Sequence, residues 1–196
     1  MIVALVKQDT NLALGLINVG ANPNAPYHSL PKPSLANLCT YLFDPAPLPE
    51  RNIPTAFLMA CGASMFNNDG GANNLFATFP DDPRLVQTML QHGATLNEKD
   101  FMDWTPLFWA IRKHNPKTIR VLLEKGADVN AKDMVGQTPL MAACDGDTPL
   151  DTIRLLLEHG ADPNLSDNGG MTALQSAQHN KRRGLEALLR QAGAKK

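Results

Sequence analysis

The chain has 196 residues, of which 43% are apolar and 19% are charged, so its composition suits a chain that buries a core. A formal net charge of −1 and a pI of about 6.5 argue against a general nucleic-acid binder, which needs a basic face or tract. The three cysteines lack metal-ligand spacing and are odd in number, which predicts reduced thiols and a cytoplasmic location. No apolar run approaches the roughly 20 residues that span a membrane, so we expect no membrane partner.

The elements along the chain are copies of one unit of about 33 residues. Gly-Ala pairs begin at positions 20, 93, 126, 160 and 193, and Thr105-Pro106-Leu107 returns as Thr138-Pro139-Leu140 and as Thr172-Ala173-Leu174. A fixed period of this length predicts a solenoid of stacked units. We expect a single domain over 1–196, with repeats at about 1–25, 54–100, 101–133, 134–167 and 168–196.

The N-terminal half interrupts this period twice. Repeat one is partial, and an insertion at about 25–53 follows it. The insertion is rich in proline and contains a short amphipathic pattern from Ser34 to Leu42, which predicts one helix. A second insertion, at about 62–83, falls between the two helices of repeat two. Its run of Asn, Asp and Gly at 67–74 predicts a mobile loop.

The unit that begins at Trp104 is the clearest. Thr105 can cap a helix running from Pro106 to His114, because proline is tolerated at the first helical position. Asn115-Pro116 ends that helix, and a second is predicted from Pro116 to Lys125. Gly126 follows, where a left-handed helix cap favours a residue without a Cβ. The unit is therefore predicted to be a pair of short helices.

The two copies TPLFWAIRKHNPKTIRVLLEKGADVNAKD and QTPLMAACDGDTPLDTIRLLLEHGADPNLSD strongly resemble the ankyrin repeat. The resemblance implies an all-α ankyrin-repeat solenoid of about five helix-turn-helix units, each with a hairpin finger projecting from its helices. It also implies that fingers and first helices line a concave groove where protein partners bind. The function expected from it is non-catalytic protein binding.

The finger tips carry unusual side chains for such a unit. Phe101, Met102, Met134 and Val135 are apolar where the family usually has polar residues, and exposed apolar patches often mark interfaces. The alternative is that these tips pack against a neighbouring insertion. Asp103 stands where the family usually has glycine, so we expect its turn to differ from the family's.

The first helices supply two further candidates. Trp109 lies at a position that the resemblance places in the groove, and Arg112 follows one helical turn later on the same face. A Trp beside an Arg is a common pairing at binding hot spots. The alternative is that Trp109 is a partly buried packing residue. We therefore predict partner binding at Phe101, Met102, Trp109, Arg112, Met134 and Val135.

No residue pattern predicts catalysis, a cofactor or a metal site. Asp100, Asp133 and Asp167 recur with the repeat, so each lies in a separate finger, too far from the next for paired acid–base work. Cys61 and Cys144 share one repeat position, which favours small buried thiols on a helix. We expect a monomer that is not an enzyme.

Other functions stay open at this point. The chain could be a stoichiometric inhibitor or immunity-type regulator of one enzyme, or an interaction module cut from a larger effector or enzyme. Basic residues gather near the C-terminus and are predicted to cap the solenoid, with a docking patch for an acidic partner as the alternative. These residues are Lys181, Arg182, Arg183, Arg190, Lys195 and Lys196.

Overall fold

The structure is a computed structural model and describes residues 10–24, 60–61, 81–100 and 102–195. Within these ranges the regular structure is helical, apart from one antiparallel bridge between Ser166 and Thr172. The predicted helix at 34–42 and the predicted loop at 67–74 lie outside the described residues. The helices are α1 (Thr10–Asn18), α2 (Pro83–Gln91), α3 (Pro106–Arg112), α4 (Pro116–Glu124), α5 (Pro139–Asp145), α6 (Leu150–Glu158), α7 (Ala173–His179) and α8 (Arg183–Gln191).

Threonine side chains begin the first helix of each of the three C-terminal units. The hydroxyls of Thr105, Thr138 and Thr172 each accept the backbone N–H three residues later at 3.3 Å. Each bond satisfies a donor that has no partner inside its helix. The cap predicted at Thr105 is confirmed, and the repeat carries it to the two units that follow.

The helix ends also follow local backbone rules. Gly126 has a φ of 85°, as the predicted left-handed cap requires, and its N–H bonds to the carbonyl of Leu123 at 3.0 Å. Helix α3 ends at Arg112, two residues before the predicted end. The reason is that His114 adopts a φ of 55°, which does not continue a right-handed helix.

The helices pack in two rows. Helix α5 packs against both α3 and α7, so these three first helices form one row. In the second row α1 contacts α2, α2 contacts α4, α4 contacts α6, and α6 contacts α8. Pairs α3–α4, α5–α6 and α7–α8 close the space between the rows. The described part of the chain is therefore an all-α solenoid.

The interior between the rows is a continuous apolar core. Leu107 and Ile111 of α3 and Ile119 and Leu122 of α4 are all buried. The repeat places similar buried side chains in the next layer, and burying each Leu or Ile contributes roughly 1.5 to 3 kcal/mol. That next layer consists of Leu140, Cys144, Ile153 and Leu156.

Asparagine side chains join successive units. The amide of Asn130 donates to the carbonyl of Gly160 at 3.0 Å, and its oxygen accepts the N–H of Asp162 at 2.9 Å. Asn164 makes the same two bonds to the last unit. Asn24 makes them to the unit of α2, although both predicted insertions separate the two in sequence. The first described unit is therefore stacked on the second.

Arg182 ties the last unit to the one before it. Its guanidinium donates to four backbone carbonyls at the end of α5 and in the link to α6, including that of Gly146 at 2.6 Å. Of the six basic residues near the C-terminus, Arg182 is therefore engaged by backbone acceptors of the preceding unit. The other three carbonyls belong to Ala143, Cys144 and Thr148.

Asp81 caps a helix of the following unit. Its carboxylate accepts the N–H groups of Lys117 and Thr118, at 2.9 and 2.8 Å, at the start of α4. The side chain of Asn115, which precedes α4, makes no capping bond. A carboxylate is the favoured partner of a helix N-terminus. The last residues of the predicted 62–83 insertion therefore belong to the packed structure.

The finger before α3 keeps the turn of its neighbours even though it lacks glycine. Asp103 has a φ of 60°, close to the 81° of Gly136 and the 82° of Gly170 at the same repeat position. Its N–H bonds to the carbonyl of Asp100 at 3.0 Å, as that of Gly136 bonds to Asp133 at 2.9 Å. The expected difference in this turn is corrected, since aspartate tolerates the left-handed region better than most residues.

We therefore predict that Asp103→Gly raises the free energy of unfolding by about 0.5 to 1 kcal/mol, because glycine removes the steric cost of the left-handed conformation. Urea denaturation followed by circular dichroism measures the change. Asp103→Ala is the control and should be destabilising, since it keeps the Cβ and loses the carboxylate. A destabilised Asp103→Gly variant would contradict this account of the turn.

Candidate functional site

One aspartate organises each of the three described fingers. A single carboxylate oxygen of Asp100, Asp133 and Asp167 accepts the N–H groups two and four residues later, at 2.8 to 3.0 Å. These local bonds hold the turn in each finger. The three carboxylates therefore serve the shape of separate fingers, in agreement with their spacing in the sequence.

Backbone hydrogen bonds connect the finger tips to one another. The N–H of Met134 donates to the carbonyl of Met102 at 3.1 Å, and the N–H of Asn168 donates to that of Val135 at 3.0 Å. The side-chain amide of Asn168 also reaches the carbonyl of Met134 at 3.3 Å. The three fingers consequently lie side by side as one connected surface.

The connected tips expose apolar side chains. Met134 is 56% exposed, Val135 57% and Met171 47%, while Met102 is half-buried. We call these four residues the tip strip. The expected exposure of Met134 and Val135 is confirmed, and Phe101 lies outside the described residues. Apolar side chains grouped in this way are a common feature of interaction surfaces.

Beside the tip strip lies a cluster of aromatic rings. The rings of Trp104 and Phe108 stack at 5.0 Å, and Trp109 meets Trp104 edge-on at 4.7 Å. The indole N–H of Trp109 donates to Asp100 at 2.8 Å, and that of Trp104 donates to Asp133 at 3.2 Å. The indole of Trp109 thereby connects α3 to the finger before it, and the indole of Trp104 connects that finger to the next one.

Trp109 and Arg112, which the sequence predicted to act as a pair, have different surroundings in the structure. Trp109 is only 3% exposed, so of the two roles left open for it, packing is the one its surroundings favour. Arg112 is exposed, and its guanidinium carbon lies 5.7 Å from the centre of the Trp104 ring rather than over Trp109. Lys113 lies over the Trp109 ring instead, at 5.9 Å.

Two residues of this surface were not predicted as site residues. These residues are Trp104 and Met171. Both directly precede a capping threonine, at one repeat position of the fingers. A comparison of side chains at this repeat position would have pointed to both residues. In the structure Trp104 is half-buried and Met171 is exposed.

Polar contacts mark the first helices of the next two units. Asp145, at the end of α5, accepts hydrogen bonds from the Ser176 hydroxyl and from the Gln137 amide. Ala142 and Ser176, which occupy the repeat position of Trp109, are buried between neighbouring first helices. The exposed polar side chains of the first helices therefore include those at their ends, namely Arg112, Asp145 and His179.

The described residues offer little reactive chemistry. Cys61 and Cys144 are buried free thiols, as predicted. Burial raises the pKa of Cys144 from 9.0 to about 12, against the opposing charge of Arg182, and burial also raises that of Cys61. Both thiols are therefore poor nucleophiles at neutral pH. Among the described residues, no group of three His, Cys, Asp or Glu side chains could hold a metal ion.

No helix in the described ranges is both long and apolar enough to cross a membrane.

Two comparisons with known proteins bear on this architecture. The sequence model of the family described as ankyrin repeats (3 copies) matches residues 50–133 and 134–196. No curated protein matches the chain in sequence. Proteins of this family are generally protein–protein interaction modules and are typically non-catalytic. Because the match covers most of the chain and the described helices stack in pairs, the chain belongs to the ankyrin-repeat family.

Proposed function

We propose that this chain is a non-catalytic protein-binding module whose partner contacts the tip strip and the adjoining end of α3. The observation that carries the proposal is the exposure of Met134, Val135 and Met171 on fingers that are bonded to one another. Covering exposed apolar side chains favours association, and a surface that is already ordered loses little entropy when it binds.

The predicted site residues have different parts in this proposal. Met102, Met134, Val135 and Arg112 are offered to the partner. Phe101 precedes Met102 in the same finger tip, and its contact with a partner stays a prediction. Trp109 is buried and supports the binding surface indirectly. Its indole N–H donates to Asp100, whose carboxylate holds the turn of that finger.

The oligomeric state and location belong to the same proposal. We expect the chain to act as a monomer in the cytoplasm, with repeats and insertions at the boundaries that the sequence predicts. Light scattering after size-exclusion chromatography measures the oligomeric state directly. A stable dimer would contradict the monomer.

We predict that Met134→Asp/Val135→Asp lowers affinity for the natural partner by at least tenfold, because two carboxylates would lose solvation when the surface is covered. The partner is first captured on the purified chain from native lysate and identified by mass spectrometry. Its dissociation constant with each variant is then measured by isothermal titration calorimetry.

Val19→Asp is the matched control, because Val19 is also an exposed aliphatic residue, at 70%, but lies next to α1, away from the tips. It should bind as the parent chain does. Trp109 is avoided because truncating a buried Trp costs about 3 to 5 kcal/mol and would affect folding. Equal binding by the tip variant, or the absence of any specific partner, would contradict the proposal.

A further inference from the structure

Arg112 is an oriented cation with no acidic partner among the described residues. Its guanidinium lies over the ring of Trp104, within the distance at which a cation is attracted to an indole face. Trp104 is itself held by stacking on Phe108 and by its bond to Asp133. The two ion pairs in the described ranges involve other arginines. The guanidinium N–H groups are thus available to an acceptor from outside.

Three aspartates that contact α3 or the elements packed against it are engaged by other donors. Asp100 and Asp133 bind turn amides and the two indoles, and Asp145 binds Ser176 and Gln137. Asp103 is exposed on the adjoining turn and forms no ion pair with Arg112. Lys113 adds a second cation over Trp109. The end of α3 therefore presents two cations, and neither takes part in an ion pair within the described ranges.

This positive charge adjoins the apolar tip strip. Trp104, beneath Arg112, bonds to Asp133, and the next residue in the chain is Met134. Met134 in turn bonds to the carbonyl of Met102, two residues before Trp104. A ligand that covers the strip is consequently brought next to the guanidinium, so one short segment can contact both.

We infer that the partner presents a short segment with an Asp or Glu carboxylate for Arg112, flanked by apolar side chains that cover the tip strip. This inference rests on the proposed function and specifies its ligand. A carboxylate matches the planar guanidinium with two parallel hydrogen bonds, which a lysine cannot form. Because Arg112 is exposed, the charge contact acts mainly on specificity and on the association rate.

Selection from a random library of 12-residue peptides displayed on phage tests the inference with the purified full chain as bait. The selected peptides should share one Asp or Glu together with apolar residues. A synthetic selected peptide should bind at least tenfold more weakly to Arg112→Glu, and its Asp→Asn or Glu→Gln form should bind the parent chain more weakly. Its affinity should also fall as salt is raised.

Arg120→Glu is the matched control, because Arg120 is an exposed arginine on α4, in the other helix row. It should bind the peptide as the parent chain does, and circular dichroism should show that both variants stay folded. Selected peptides that lack an acidic residue but require Met134 and Val135 would overturn the inference and leave the proposed surface standing. Peptides indifferent to Met134→Asp/Val135→Asp would overturn both, and failure to enrich any peptide would overturn the inference.

Discussion

Replacing Arg182 by methionine is expected to lower the free energy of unfolding by about 3 kcal/mol, since it removes charge-assisted bonds to carbonyls at the end of α5. Methionine keeps much of the aliphatic stem, so the loss reports on the guanidinium. The carbonyls would be left without these donors, and the contact between the last two units would weaken. Urea denaturation measures the change.

Two further variants make this result specific. Arg183→Met removes the next arginine, which is exposed, and should change stability by less than about 0.5 kcal/mol. Arg182→Lys keeps the charge but lacks the planar group that reaches several carbonyls at once, so it should fall between the two. If Arg182→Met were no more destabilising than Arg183→Met, the proposed link between these units would be refuted.

The second large effect is expected at Gly136, where alanine should cost about 3 kcal/mol. Gly136 has a φ of 81°, and a Cβ there would lie 2.5 Å from the side-chain oxygen of Asn168 and 2.8 Å from its backbone nitrogen. The turn would be strained, and the contact between the second and third fingers would be forced apart. The same denaturation experiment measures it.

Gly170 separates the two causes. It has a φ of 82° at the same repeat position, but an added Cβ would meet nothing within 4 Å. Gly170→Ala should therefore cost only about 1 kcal/mol, from backbone strain alone. Equal costs at both positions would show that the contact with Asn168 contributes nothing. Because Gly136 lies between Val135 and the rest of its finger, Gly136→Ala should also weaken partner binding.

Much of the fold was predictable because its signals are local. The cap at Thr105 and the left-handed glycine at 126 depend on neighbours within a few residues, so the sequence reveals them directly. The period then extends each local prediction to the next unit. Helix α3 was predicted two residues too long because the turn at His114 is set by its backbone conformation rather than by an obvious breaking residue.

Long-range roles were not predictable in the same way. The sequence indicated only a basic residue at Arg182, because the carbonyls that it binds lie 34 to 39 residues earlier in the chain. Asp81 caps a helix that begins 35 residues later, whereas the sequence placed Asp81 in an insertion. Trp109 and Arg112 lie one turn apart, which indicated a pair, but the ring that packs beside Arg112 comes from the finger. Charge and spacing alone do not reveal such partners.

Asn24 and Thr95 are 71 residues apart in sequence and are joined by a hydrogen bond of 2.8 Å. Closing a longer stretch of chain costs only slightly more than closing a short one, about 0.6 kcal/mol for each doubling of length. The equivalent bond from Asn130 to Gly160 spans 30 residues that include α5 and α6, so a segment added within either helix would disturb their packing. The length of the connection between the first two units can therefore change at small cost in chain closure, provided that buried residues within it such as Leu85 and Met89 are kept.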